Sequence, residues 1–292
     1  MSHGSHRRRT RVVAAVALGC ASLGVAGHAH AAVDPGRFPA AGLVYAGGEW
    51  APASTASIHP GVVTVTIGSW CTANFLFTDG AHVYLGQAAH CSAGVAGASN
   101  GCTTPSLPLG TPVHLQGSDV TGAMAYNSWL AMQELGEQNV DACAHNDLAL
   151  IQLPSSAIGL ANPSVPVFGG PVDINTIGTN PGDQVLSYGN SPLRQGIGVL
   201  ATKAGTSLGD GGDGWTHEIY TVTPGIPGDS GSAVLDSAGQ ALGDLTTLEL
   251  APVPGANHAS DLAHELAWAR AHLARFRDLR LIAGTEPFFA LR

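Results

Sequence analysis

Lysine is all but missing from this 292-residue sequence: Lys203 stands alone, and charged residues of both signs make up only 11% of the chain. So little charge argues against a coiled coil or a charge-rich disordered chain. What charge there is leans acidic. The formal net charge is −9, but Arg7, Arg8, Arg9 and Arg11 sit in an N-terminal stretch without acids, and beyond residue 31 the balance is 8 basic against 21 acidic residues. That excess repels phosphate backbones and anionic headgroups, which argues against nucleic acid or a membrane surface as partner. After the first 31 residues no apolar run is long enough to span a bilayer. Metal motifs are missing too: there is no C-x-x-C, and His264-Glu265 lacks the second histidine of a helical zinc site because Trp268 stands there. Asp210 and Asp213 in "GDGGDGW" read as turn residues in preference to a calcium loop. No metal or cofactor is called for.

What is present is a turn-rich apolar chain, 45% hydrophobic with 39 glycines and 18 prolines. That composition suits a packed globule. "SHRRRTR" followed by "VVAAVALGCASLGVAG" and Ala29-His30-Ala31 has the order of a signal peptide, with cleavage expected before Ala32 and secretion as the destination. A membrane anchor or a lipid attached at Cys20 fits the flanking residues less well. Removal of residues 1–31 leaves Cys71, Cys91, Cys102 and Cys143, an even set that in an exported chain predicts two disulfides, with three pairings open.

From about residue 58 short strand-like runs alternate with turn signals. They are "GVVTVTIG" (61–68), "TANFLF" (72–77), "HVYLGQAA" (82–89) and "DLALIQL" (147–153), with an Asp-Gly turn joining the second and third. A Pro/Gly-rich stretch over 155–173 separates them from "QVLSYG" (184–189), "GIGVLATKAG" (196–205), "HEIYTVT" (217–223), "SAVLD" (232–236) and "LGDLTTLEL" (242–250). Regular short strands predict an all-β sandwich or barrel. "SDLAHELAWARAHLARFRDL" (260–279) instead has helical spacing with Ser260 as N-cap, and reads as an amphipathic helix packed on the β core.

A serine hydroxyl is a poor nucleophile unless a base lies within hydrogen-bond reach and a third group orients that base. Ser230 in "PGDSGSA", His90 in "GQAAHC" and Asp147 in "HNDLALIQL" supply the three residue types, at separations of 57 and 83 residues. "CTANFLF…GQAAHC", "NDLALI" and "PGDSGSA" resemble, in this order, the His, Asp and Ser signatures of the chymotrypsin/trypsin-like serine protease family, in particular its secreted bacterial members. The match spans roughly residues 60–250.

The resemblance implies two six-stranded antiparallel β-barrels with the active site between them, to which the sequence adds a C-terminal α-helix. The expected layout is a signal peptide over 1–31, an N-terminal or pro segment over 32–57, a first barrel over 58–155 and a linker over 156–182. A second barrel over 183–256 and a helix with tail over 257–292 complete it. It implies Ser230 as nucleophile, His90 as general base and acid, Asp147 as the orienting carboxylate, and the amides of Gly228 and Ser230 as the oxyanion hole. It pairs Cys71 with Cys91, which leaves Cys102 for Cys143. The implied substrate is a peptide or protein, and the implied activity is that of a serine endopeptidase. A non-catalytic secreted binding protein on the same scaffold is the alternative. An α/β-hydrolase is disfavoured, because its triad runs in another order and Ser232 breaks the G-x-S-x-G elbow.

One departure concerns Asp229. The chain has no Ile-Val-Gly-Gly-like mature N-terminus to neutralise it, and Arg194 is a candidate partner. The resemblance implies that substrate choice depends on Pro224 at the base of the pocket, with Thr246 beside the docked substrate backbone and Leu248 near the mouth. An uncharged pocket of that kind favours small or medium apolar side chains before the scissile bond and disfavours Lys or Arg.

Overall fold

β-Branched and aliphatic residues in short runs, cut by Gly, Asp and Pro, form strands here and few helices. The computed structural model describes Met1, residues 49–93 and residues 100–290. The signal peptide expected over 1–31 therefore lies, Met1 aside, outside the described residues, as does 32–48 of the expected N-terminal segment.

The first half of the chain contributes β1 (Val63–Thr66), β2 (Ser69–Thr72), β3 (Leu76–Thr78), β4 (Val83–Ala88), β5 (Pro112–Leu115), β6 (Thr121–Asn127) and β7 (Leu148–Gln152). With β14 (Arg280–Leu281) they make one sheet in the order β14-β3-β4-β7-β6-β5-β1-β2. β2 and β3 are two halves of one bent segment. The first half pairs with β1 and the second with β4. Between them, Ala73 N–H donates to Val62 O and Asn74 N–H to Gly86 O, both at 2.9 Å. The sheet thus closes on itself through this segment, and six strands ring an interior filled by Leu76, Leu85, Val113, Leu115, Met124 and Ile151.

The second half forms a closed barrel from β8 (Gln184–Tyr188), β9 (Thr202–Gly211), β10 (Thr216–Thr221), β11 (Ala233–Asp236), β12 (Ala241–Leu248) and β13 (Asn257–Asp261), in the order β10-β13-β12-β11-β8-β9. Val185, Ile219, Val234, Leu242, Leu245 and Ala259 fill it. Side chains facing outward from the two rings meet in another apolar core. Phe75, Phe77, Tyr84 and Leu148 enter it from the first barrel, Leu186, Ala233 and Leu235 from the second. Helix α3 (Leu262–His272) closes this core with Leu262, Leu266 and Ala269. Two six-stranded antiparallel barrels with a C-terminal helix are the architecture implied by the resemblance together with the helix read at the C-terminus.

Several details differ from expectation. The helix read over 260–279 is shorter, since Ser260 lies within β13 and Asp261 caps α3 by accepting from His264 N–H at 2.7 Å. Leu273 is extended, Phe276 sits in a short 3-10 turn, and the chain returns to the first barrel as β14. The sixth strand of the second barrel, β13, lies beyond the expected limit at residue 256. The strand read over 196–205 starts at Thr202, because Gly198–Leu200 form a 3-10 turn. Between β4 and β7 the sequence reading found no elements. β5, β6, α1 (Ser128–Leu135, capped by Asn127) and α2 (Val140–His145, capped by Asn139) occupy that stretch. The disulfides are Cys71–Cys91 and Cys102–Cys143.

The barrels approach closely at Gly231. Its φ of +84° is in the left-handed region, and a Cβ there would stand 2.6 Å from Thr72 O and 2.7 Å from Ala88 N. Both neighbours are backbone atoms of paired strands and cannot yield. Gly231→Ala should therefore lose roughly 2 kcal/mol or more of unfolding free energy in a urea titration. An unchanged midpoint would contradict the tight junction.

Candidate active site

Three segments converge at this junction. β4 ends in the buried pair Gln87-Ala88, and His90 follows in a 3-10 turn (Ala89–Ser92) pinned by the Cys71–Cys91 bridge. Asp147 lies between α2 and β7 and is 6% exposed. Its Oδ2 meets His90 Nδ1 at 2.6 Å and its Oδ1 accepts the His90 main-chain N–H at 2.8 Å, while Ala89 N–H donates to the Asp147 carbonyl. One carboxylate therefore fixes both the ring and the backbone of the histidine. Burial opposes protonation of His90, but the charge and hydrogen bond of Asp147, with a smaller contribution from Asp244, lift its pKa above the usual 6.5.

The third segment is the turn Pro224–Ser232. Thr72 holds it from the first barrel: Thr72 N–H donates to Ser230 O and Thr72 Oγ1 to Gly228 O, both at 2.8 Å. Gly228 adopts φ +93°, and a Cβ there would stand 2.7 Å from Ser191 Oγ. Among the described residues, the amides of Gly228 and Ser230 donate to no protein acceptor, and the Ser230 hydroxyl has no hydrogen-bond partner. Two free amides flanking a half-buried serine can receive an oxyanion.

Asp229 beneath this turn is fully buried and held by two cations. Arg194 Nη2 lies 2.5 Å and Lys203 Nζ 3.2 Å from its Oδ2, and the main-chain N–H groups of Ser191 and Ile226 also donate to the carboxylate. Burial works against ionisation of Asp229, but the Arg194 hydrogen bond, the Lys203 charge and the two amides bring its pKa below the usual 3.8. Arg194 is the partner expected from the sequence. Lys203 was not anticipated, although its being the only lysine, inside the strand-like "LATKAG", was the available signal.

A cleft of about 300 Å³ opens beside His90 and Asp147, lined by Trp129, His145, Thr246, Thr247 and His258. Burial and the nearby His258 lower the pKa of His145 below 6.5. Thr246 lies in this cleft. Leu248, 37% exposed, does not line it, nor does Pro224, whose carbonyl accepts from Arg194 Nη2 at 2.8 Å. Asp210 of the acidic loop is taken up by His217 and Thr179, and Asp213 sits at φ +51°. The Cys71 and Cys91 sulfurs lie within 4.8 Å of His90, but a disulfide offers no thiolate to a metal.

No family model matches the chain, and no curated protein matches it. Among solved structures it is similar to Thermobifida fusca protease A (16% identity, TM-score 0.49, covering 78% of this chain and 99% of that one). It is also similar to Nocardiopsis protease (17%, 0.46, 77% and 98%) and Cellulomonas bogoriensis chymotrypsin (16%, 0.44, 77% and 98%). At these values the likenesses are weak, and the fold rests on the chain's own strand order and ring closure.

Burial lowers the pKa of Lys203 from 10.5 to about 8, against the pull of Asp229. A base whose folded pKa is depressed costs stability while it is charged. That cost is removed as pH rises from about 8 to 10.5, because there the unfolded chain binds the extra proton. Relative to Lys203→Met, the natural protein should gain stability over that window, as read by urea unfolding at stepped pH. Parallel pH profiles for the two proteins would contradict the buried ammonium. Asp229→Asn, which leaves two buried cations without a counter-charge, should cost more than Lys203→Met, by roughly 3 kcal/mol.

Proposed function

We propose that the chain is a secreted serine endopeptidase that cleaves peptide bonds through an acyl-enzyme. The observation that carries this reading is the His90–Asp147 pair, 2.6 Å apart, at the same inter-barrel junction that receives the Ser230 turn. In the proposed cycle Asp147 accepts the Nδ1–H of His90 and leaves Nε2 free as the base. His90 takes the proton of Ser230 as Oγ adds to the scissile carbonyl. The oxyanion is received by the amides of Gly228 and Ser230. The imidazolium then gives the proton to the leaving amine, and a water repeats the sequence on the acyl-enzyme. The leader and the two disulfides support an extracellular site of action.

The expected substrate is a peptide with a small or medium apolar side chain before the scissile bond, since Pro224 offers no carboxylate to a buried cation. Arg194 and Lys203 already neutralise Asp229, so activity should not depend on a newly cut N-terminal amine.

Ser230→Ala and His90→Ala should each lower kcat by several orders of magnitude in a peptide-library assay. Asp147→Asn should lower it on the order of 10⁴-fold, a figure carried over from the best-studied triad enzymes. Undiminished turnover by Ser230→Ala would overturn the assignment, and a profile dominated by Lys or Arg would overturn the substrate preference.

A further inference from the structure

Behind Asp147 lie two carboxyl groups that the proposed cycle does not use. Asp244 on β12 and Glu265 on α3 are both fully buried. Glu265 Oε1 accepts the Asp147 main-chain N–H at 2.8 Å. Helix α3 packs on β12 and sets the two carboxyl groups close to each other. Yet neither Asp244 oxygen, nor Glu265 Oε2, receives an N–H or O–H from any other described residue. Two ionised carboxylates so placed would repel each other with no donor between them, a costly arrangement away from water. One proton between them supplies the missing donor and leaves a single negative charge.

We propose that Asp244 and Glu265 share one proton at neutral pH and together act as positioning residues: Glu265 anchors the Asp147 backbone, and the pair holds a second negative charge behind His90. Three neighbouring segments present a titratable group to this pair. Asp147 comes from the α2–β7 link, His90 from the turn after β4, and Tyr126 from β6 with a buried hydroxyl that lacks a partner. The electrostatic directions agree. Burial and the charge of Asp147 push Asp244 up to about 8. Burial and Asp244 push Glu265 well above its usual value, and burial and Glu265 do the same to Tyr126. Asp244 in turn contributes to raising His90.

The bearing on His90 as a base rests on the protease reading, whereas the shared proton does not. Two readouts on the full chain without substrate keep them apart. The first is infrared spectroscopy in H₂O and D₂O at pH 7. The natural protein should show a protonated-carboxyl C=O stretch that Glu265→Gln removes, since the amide then donates to an ionised Asp244. The second is the NMR titration of His90, assigned against His90→Gln. Glu265→Gln keeps one charge and should leave the midpoint nearly unmoved, whereas Asp244→Asn/Glu265→Gln removes the charge and should lower it by roughly half a pH unit. A merely structural pair would destabilise the variants without separating these midpoints. A natural protein without the carboxyl band, or a folded double variant with an unmoved midpoint, overturns the proposal. If the double variant does not fold, the infrared band of the natural protein decides. Loss of peptide cleavage in Ser230→Ala bears on the protease reading alone.

Discussion

A carboxylate sealed from water has to find counter-charge inside the protein, and for Asp229 that requirement organises the turn carrying Ser230. Its oxygens collect Arg194, Lys203 and the amides of Ser191 and Ile226. An isolated buried charge would be intolerable, but a charge with four donors is a rigid anchor. The anchor draws β8, β9 and the Pro224–Ser232 turn together, so the flanking glycines aim amides from a fixed base and do not merely loosen a loop. Gly228 and Gly231 are needed for positive φ and close approach, and Thr72 clamps the result from the opposite barrel.

Asp147 is gripped in a comparable way from several directions. Its carboxylate holds the ring and the main chain of His90, its carbonyl accepts from Ala89, and its own N–H is fixed by Glu265 of α3. Helix α3 is therefore more than a lid on the apolar core. Although it follows the second barrel in the chain, it reaches the residue that orients the histidine of the first. A packed core transmits such constraints because its side chains have few alternative arrangements.

Much of this was legible in the sequence. Short β-branched runs with glycine and proline between them gave the strand-rich character, and the three motifs with their cysteines lie on the segments that converge at the junction. What was not legible depends on tertiary pairing. "PVHL", "TGAMAYN" and "NHASD" carry too few apolar residues in alternation to read as β5, β6 and β13, and they are strands because neighbours supply the ladder. Lys203 and Glu265 look like solvated positions on a strand and a helix, yet both are fully buried, each in contact with a residue distant in the chain. Leu248 lies outside the cleft that Thr246 lines, since counting along a strand fixes a register only approximately where bulges intervene, as β12 has between Leu245 and Thr247.

The central claim is that Ser230 is an activated nucleophile, and the most direct measurement is covalent. The intact protein would be treated with a serine-directed fluorophosphonate and mapped by peptide mass spectrometry. A single adduct on Ser230, lost in His90→Ala although Ser230 is still present, is the result the account predicts. No adduct on the folded protein, or an adduct that forms equally well without His90, would contradict it.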